Sequence, residues 1–524
     1  MATPIKTQEY LGRTVLYTNE KEITKDNLIK VLQSVLPDFA KNKGEIDFLY
    51  RYYRGEQPIL KREKKHRPEI KNCVVENHAH EIVSFKTGYD FGEPIQYIRR
   101  ATKSGTEIKE GQDPVLNEAD DTDITANISL LNEYMYTQDK ATQDKDLAEW
   151  FFICGTGYRM VLPTEDKADA EICPFEFDTL DPRYTAVVYN KGFGKKPVMS
   201  IQQVNISDDE LIYCIYTPTT YFEVSVSSPT PDTLLVGENI TKEEAHSLGY
   251  IPIIEYAANS SRLGAFELVM SLLDEINNVE SNRIDSIEQF VQAFMKFINV
   301  RIDKEQFEEL KDLGAISFKS DPNCPADIGI VTAELNQQQT QTVIDHLYQM
   351  VLIICSMPDR NGTNRTTGDT GQAVVLRDGW SAAATASKDV EAMFKKSEKQ
   401  FLKIVLKIIK DITDTEIRLS DIDVKFIPNK TDNLLTKTQA LQTMLEAGIN
   451  PQIAISKSGL FGDPEQVYLD SLPYLRNKWK TKEEADADNP LLNDEIDDTD
   501  PNEPKADGAG AKITPANNKP DPKE

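Results

Sequence analysis

The sequence predicts a helix-rich α+β fold, and three observations carry that prediction. Helical periodicity dominates the first and last thirds of the chain. A block of alternating residues between 172 and 256 is punctuated by glycine turns, and two amphipathic helices bracket a compact insert. At 524 residues the length suggests three or four folded units. The apolar share of 39%, with 8% aromatics, excludes disorder of the whole chain.

In chain order, Thr24 offers a cap, and Leu28, Val31, Leu32, Val35 and Leu36 recur at helical spacing until Pro37 interrupts. A second helix carries Phe48, Leu49, Tyr52 and Tyr53. Lys61 to Lys71 holds six Lys or Arg, a dense basic patch read as an exposed loop. A helix over 74–89 ends at Gly88, and Ile95 to Ile98 reads as a strand. Polar residues 103–125 form a loop, 127–153 a helix, and Gly155-Thr156-Gly157 breaks it before the strand Tyr158 to Leu162. VVYN at 187–190, MSIQQV, ELIYCIYT and YFEVSV follow as antiparallel hairpin strands.

The first long amphipathic helix spans about 264–298, some 50 Å at ~1.5 Å per residue. Leu268, Leu272, Ile276, Val279, Ile287, Phe290 and Phe294 form its apolar face; Glu267, Asp274, Glu275, Glu280, Asp285 and Glu288 lie opposite. The insert reads as strand 299–302, helix 304–313 and strands 315–319 and 328–333, and a helix of about 30 Å over 337–357 returns from it. Residues 358–371 contain no aliphatic or aromatic side chain, so no core forms there. A helix over 372–413, a strand over 423–427 and short helices at 434–446, 452–457 and 465–477 follow.

Composition restricts what the chain can bind. With 59 basic and 86 acidic residues the formal charge is −27, which opposes non-specific binding to nucleic acid, so any such contact is local. Residues 481–524 hold 13 acids and 5 bases, net −8, and read as a disordered tail; the body keeps −27 − (−8) = −19. Six scattered cysteines form no CxxC pair and read as buried free thiols. Without a signal-like start or a membrane-length apolar run, the expectation is a soluble cytosolic protein.

Chemical motifs are sparse. No GxxxxGK[ST] phosphate cradle occurs, and no GxSxG or His-assisted nucleophile accompanies the five histidines. His78 and His80 share a face only in a strand, and the expected helix points their rings apart, so no metal site, catalytic residue or cofactor is expected. A two-metal nuclease assembled from distant carboxylates is the alternative from a different class. The helical hairpin with its small insert is the distinctive architecture; periodicity by itself also fits a hairpin packed within its own domain.

The order of motifs resembles the portal proteins of tailed bacteriophages, in particular those of long-tailed phages of Gram-positive hosts. The resemblance rests on Tyr53-Arg54-Gly55, Asn77, Gly88-Tyr89-Asp90-Phe91-Gly92-Glu93-Pro94-Ile95 and Gly155-Thr156-Gly157-Tyr158. It continues through Ile251-Pro252-Ile253-Ile254-Glu255-Tyr256 with Asn259, Gly264, Phe266 and Glu267, then Leu273-Asp274 and Asn277, and ends at Phe426-Ile427-Pro428-Asn429 and Ala447-Gly448-Ile449. It spans nearly all of 45–480.

The resemblance implies a ring, usually of twelve copies, at one capsid vertex of the virion, assembled in the host cytoplasm. Double-stranded DNA would pass through its channel during packaging and ejection. Terminase and later a head-completion or adaptor protein would dock at the clip, and scaffolding and major capsid proteins around the wing, with no membrane involved. It implies an N-terminal region and wing at 1–261, stem helices at 262–298 and 336–357, a clip at 299–335, a tunnel loop at 358–371, a long wing helix at 372–415, a crown at 416–480 and the tail at 481–524. Arg360, Asn361, Thr363, Asn364, Arg365, Thr366 and Thr367 would then touch DNA weakly through its backbone. Asp274, Glu275, Glu280, Asp285 and Glu288 would line the channel, where acidity lets DNA slide.

Overall fold

The computed structural model describes residues 12–65, 68–100, 118–205, 210–227, 240–291, 294–299, 327–331, 337–359, 379–427 and 434–461, with single residues of 304–325 and 467–474. Helix and sheet are mixed, as the α+β expectation requires. The chain divides into two units, 1–433 and 434–524.

The first unit is threaded by α1 (Lys25–Tyr53), whose start is fixed by a reciprocal cap in which the Thr24 N–H donates to Asn27 Oδ1 at 2.8 Å. Leu28, Val31, Leu32, Val35, Leu36 and Phe39 bury one flank against a six-stranded sheet. Its order is β1 (Leu16–Thr18), β5 (Thr185–Asn190), β6 (Pro197–Asn205), β7 (Glu210–Tyr216), β8 (Thr220–Ser227) and β9 (Ile240–Ala245). Only the β1–β5 pair is parallel. The second half of α1, through Ile46, Leu49, Tyr52 and Tyr53, enters a different, helical core.

Pro37 therefore does not interrupt the helix, contrary to expectation. Burial on both sides of it explains why. Each fully buried large apolar side chain is worth roughly 1.5–3 kcal/mol, so the flanking residues outweigh the ~3 kcal/mol cost of one interior proline.

The helical core gathers α2 (His78–Asp90), α3 (Glu118–Thr137), α4 (Lys140–Cys154), the sheet β10 (Ile253–Ala257), β3 (Thr156–Pro163), β4 (Phe175–Leu180), and the antiparallel pair β13 (Ile422–Lys425) with β2 (Gln96–Arg99); the short helix α5 (Lys167–Ile172) connects β3 to β4. Across it runs a helix of 34 residues, Trp380–Thr413, which buries Phe394, Phe401, Leu402, Ile404, Val405, Ile408 and Ile409. The expected 127–153 helix is two helices, divided at Asp139 with φ 51°. α2 continues through Gly88 to Asp90, and β9 is a strand that the sequence reading missed. Gly155 ends α4 with φ +75°, and a Cβ there would lie 2.2 Å from the Arg262 carbonyl oxygen, so the 155–157 turn needs glycine for both conformation and space.

An ionic cluster lies inside this core, and the sequence reading missed it. Lys140 Nζ is 2.5 Å from Asp144 and 3.0 Å from Glu398; Arg159 Nη2 is 2.7 Å from Asp144. Tyr97 and Tyr256 hydroxyls donate to the two oxygens of Glu398 at 2.5 and 2.7 Å. Two cations balance two anions, and the Arg159 guanidinium lies over the Phe177, Tyr256 and Phe401 rings. Burial opposes ionisation of Glu398, but Lys140 and Arg159 hold its pKa below the ordinary carboxylate value.

The first of the paired helices is shorter than expected. A 3-10 turn, Glu267–Val269, leads into α6 (Met270–Val291), and Phe294–Ile298, expected to be helical, is a strand (β11) antiparallel to β12 (Asp327–Val331). The run Phe-Met-Lys-Phe-Ile suits either state by composition, and a partner strand decides it. The expected 299–302 strand and 304–313 helix lie almost wholly outside the described residues. The return helix α7 spans Gln337–Ile354.

In the second unit, α9 (Leu434–Glu446) and α10 (Pro451–Ser458) match the expected short helices, and Gly448 takes φ +77° after the first; α8 denotes the 380–413 helix. Residues 481–524 lie outside the described residues. Of the cysteines described, 154, 173 and 355 are buried and free, and 73 and 214 are half-buried.

Candidate functional site

The candidate site is the α6–α7 pair, because it carries the acids expected to face a channel. Leu273 and Ile276 bury the inner side of α6 in the core. Glu267, at its base, is buried: it pairs with Arg13 at 2.8 Å and accepts the Gly264 and Gly12 N–H groups at 2.6 and 3.1 Å. Burial nonetheless raises its pKa, because the charge has left water.

The face expected to be free is partly occupied. Asn277, Ser281, Asp285 and Glu288 recur at spacings of four, four and three, so they form one stripe along α6. Residues 57–77 run along that stripe. The Glu76 N–H donates to Asn277 at 2.8 Å and the Val74 N–H to Ser281 at 2.9 Å. Asn72 donates its backbone N–H to Asp285 at 2.8 Å, and its amide to Asp285 at 3.0 Å and Glu288 at 2.8 Å. Gln57 and Arg62 add very short bonds to Asn277 and Asn282.

This is where the basic patch goes. Lys64 Nζ lies 2.8 Å and Arg62 Nη2 3.2 Å from Asp285, so part of the supposedly free basic loop is a strap neutralising an acidic helix. Burial opposes the Asp285 charge, but Lys64 and the two Asn72 donors prevail and hold its pKa below the ordinary value. Asp274 is also engaged, accepting the Tyr52 hydroxyl at 2.9 Å, and burial raises its pKa. Of the five acids expected to line a channel, Glu275 and Glu288 are exposed, and the Glu280 side chain is 13% exposed and 3.2 Å from Arg283.

Arg283 ties the two helices together, donating to Gln337 at 2.7 Å and Gln341 at 2.8 Å. Tyr348 on α7 lies tilted against the His78 ring at 4.6 Å and donates to Glu81 at 2.9 Å. His78 lies between Glu76 (3.0 Å) and Glu81 (2.8 Å). Burial would lower its pKa, but the two carboxylates raise it to about 9, so the ring is charged at neutral pH. His80 turns elsewhere, to Ser84 and the Tyr53 ring, as the helical reading of 78–80 requires.

The pair leaves aliphatic side chains exposed among the described residues. Ile284 and Ile287 on α6 are 39% and 42% exposed, and Val343 and Ile354 on α7 are each 49% exposed. Val343 and Ile354 are eleven residues apart, about 20° around a helix, so they mark one stripe that the described residues leave half-exposed. Of the loop candidates, Arg360, Asn361, Thr363, Asn364, Arg365, Thr366 and Thr367 lie outside the described residues. The sequence reading missed the 57–77 strap; its signal was the basic run facing an acidic helix.

A family model described as phage portal protein, SPP1 Gp6-like, matches residues 32–487. No curated protein matches the chain.

Proposed function

The chain belongs to the SPP1 Gp6-like phage portal proteins, and on that premise we propose that copies of it, twelve in number, close into a ring at one capsid vertex. Double-stranded DNA is packaged and ejected through the ring. Terminase and then a head-completion protein dock on its narrow end, and scaffolding and capsid proteins surround the wing. The protein is structural, with no turnover of its own.

The carrying observation is the family match over 32–487; the structure adds a helix pair whose aliphatic stripe is half-exposed among the described residues and which a neighbouring copy would cover. The stem is α6 and α7. With the β11–β12 pair counted in it, the clip begins at about 294 rather than 299. The tunnel loop is 358–371, with Arg360 and Arg365 toward DNA, the wing is 1–261 with 372–415, and the crown is 416–480. Glu275, Glu280 and Glu288 face the channel, where like charge keeps phosphate backbones from adhering; Asp274 and Asp285 hold the stem to the wing instead. No helix among the described residues is long and apolar enough to cross a membrane.

The test is the native mass of the purified particle with end-on images. A closed ring of roughly 700 kDa, about twelve 59.2 kDa chains, around a hole of about 20 Å is expected. A monomer that also cleaves DNA with Mg²⁺ would overturn the reading in favour of a nuclease.

A further inference from the structure

We propose that a cationic trough on the wing is the socket of a joint between neighbouring copies, and that the acidic projection between β3 and β4 of the next copy fills it. The inference rests on the ring reading and adds the surfaces that would hold the ring together.

The trough is a cavity of about 1070 Å³. Its floor is the sheet face turned away from α1: Val15, Tyr17, Val187 and Tyr189 line it, while the intervening Leu16 and Val188 bury against α1. One wall is the 249–262 segment. The other is a single face of the 380–413 helix, where Lys396, Gln400 and Lys403 follow at spacings of four and three. Lys195 and Lys196, on the β5–β6 turn, complete the rim, and Phe193 at the tip of that turn is fully exposed.

Charge is what makes the trough unusual. Its single lining acid, Glu255, is fully engaged by Arg262 at 2.5 Å, Tyr189 at 2.6 Å and Thr156 at 3.2 Å. Lys196, Lys396 and Lys403 are exposed and have no ion-pair partner among the described residues, and Lys195 stands over the Tyr17 ring at 5.6 Å. Four lysines thus face a concave apolar and aromatic floor in a chain of net charge −27. Copies with that charge repel one another, so their contact needs a cationic surface on one side and an acidic one on the other. A closed ring supplies this geometry, because its interface is head to tail and joins two different surfaces.

The complementary surface is at hand. Between β3 and β4, Glu165, Asp169 and Glu171 are exposed and have no ion-pair partner among the described residues, and Ile172 beside them is 61% exposed. The three-stranded sheet runs β10-β3-β4. β10 contributes Ile253, Ile254 and Glu255 to the trough, and the projection leaves from the β3–β4 side. Three carboxylates would meet the lysines, and Ile172 would anchor on the tyrosine floor, excluding water around the charges.

Charge reversal tests this on the full-length chain, with native mass as the readout. K396E/K403E and E165K/D169K/E171K are each expected to convert rings to single chains, or to lower by at least about twofold the NaCl concentration that dissociates them. Combining the five changes is expected to restore the ring. The milder K396Q/K403Q, which adds no charge, should weaken rings in the same direction and guards against misfolding, checked by thermal melting of each variant. Rings that survive both reversals, or that the combined variant fails to rescue, overturn the joint and leave the trough to a partner protein's acidic segment or to nucleic acid. A wild-type chain that forms no ring instead overturns the ring reading itself.

Discussion

The ionic cluster around Glu398 and the charged stripe of α6 use the same four residue types in opposite ways. In the core, Lys140, Asp144, Arg159 and Glu398 are each at most 4% exposed and pair with one another among aromatic rings, with Arg159 Nε and Nη1 left without a hydrogen-bond partner among the described residues. On α6 the acids are met by a strap of loop residues, and the flank beside them leaves Ile284 and Ile287 uncovered. Fully desolvated charges must find partners within the chain, and on α6 the buried Asp285 does so, whereas Glu275 and Glu288 stay exposed to water. One region is closed and fixes the fold. The other keeps acids and aliphatic side chains at the surface.

The comparison breaks most sharply at Glu398. Glu398→Ala leaves two buried cations facing only Asp144 and should cost about 3–5 kcal/mol, read as loss of the folded baseline in thermal or urea melts. Asp285→Ala, which frees Asn72 and also Lys64 and Arg62, whose side chains are 18% and 16% exposed and so can be rehydrated, should cost about 1–3 kcal/mol. Its particular signature is faster amide exchange at residues 72 and 74, with Asp285→Asn intermediate. A loss as large as that of Glu398→Ala would remove the distinction between the regions.

His78 tests the open region by pH. Its pKa is raised in the fold from about 6.5 to about 9, so its contribution is full below pH 6.5 and declines as pH rises through 9. Melting temperature should fall between pH 7 and 10 in the wild type, and the fall should shrink in His78→Gln, whose overall penalty should be about 1–2 kcal/mol. Asp285 has the opposite sign: its pKa is lowered, so its contribution is present above the unfolded value near 3.9 and fades as acid protonates it. The smallest effect on folding is expected at Ile287→Asp, within about 0.5 kcal/mol of the wild type in the single chain. That same change should abolish the native ring mass.

Much of the fold was legible because its signals are local. The antiparallel hairpins from 185 to 227, the core face of the 380–413 helix and the helix over 434–446 each follow from periodicity and turn residues. Pro37 misled because one local rule was outweighed by burial on both sides of it. The 294–298 segment misled because its strand pairs with residues 327–331, some thirty residues along the chain. The candidate site was legible only in part: α6 was recognisable as an acid-faced helix, but which acids were free was not. Asp285 and Glu275 look alike in sequence, and only the path of 57–77 separates them.

The sequence by itself determined the class of the fold, the acidity of the chain, the hairpin of two amphipathic helices and the family motifs from Tyr53 to Ile449, since all of these depend on composition, spacing and order. Tertiary structure decided that the basic run 61–71 partly straps α6, that Lys140, Asp144, Arg159 and Glu398 share one buried site, and that lysines from β5–β6 and the 380–413 helix converge on one trough. The reason is physical. Whether a charge is solvated, paired or left for a partner depends on what the fold brings within about 4 Å of it, and those neighbours lie up to three hundred residues away along the chain.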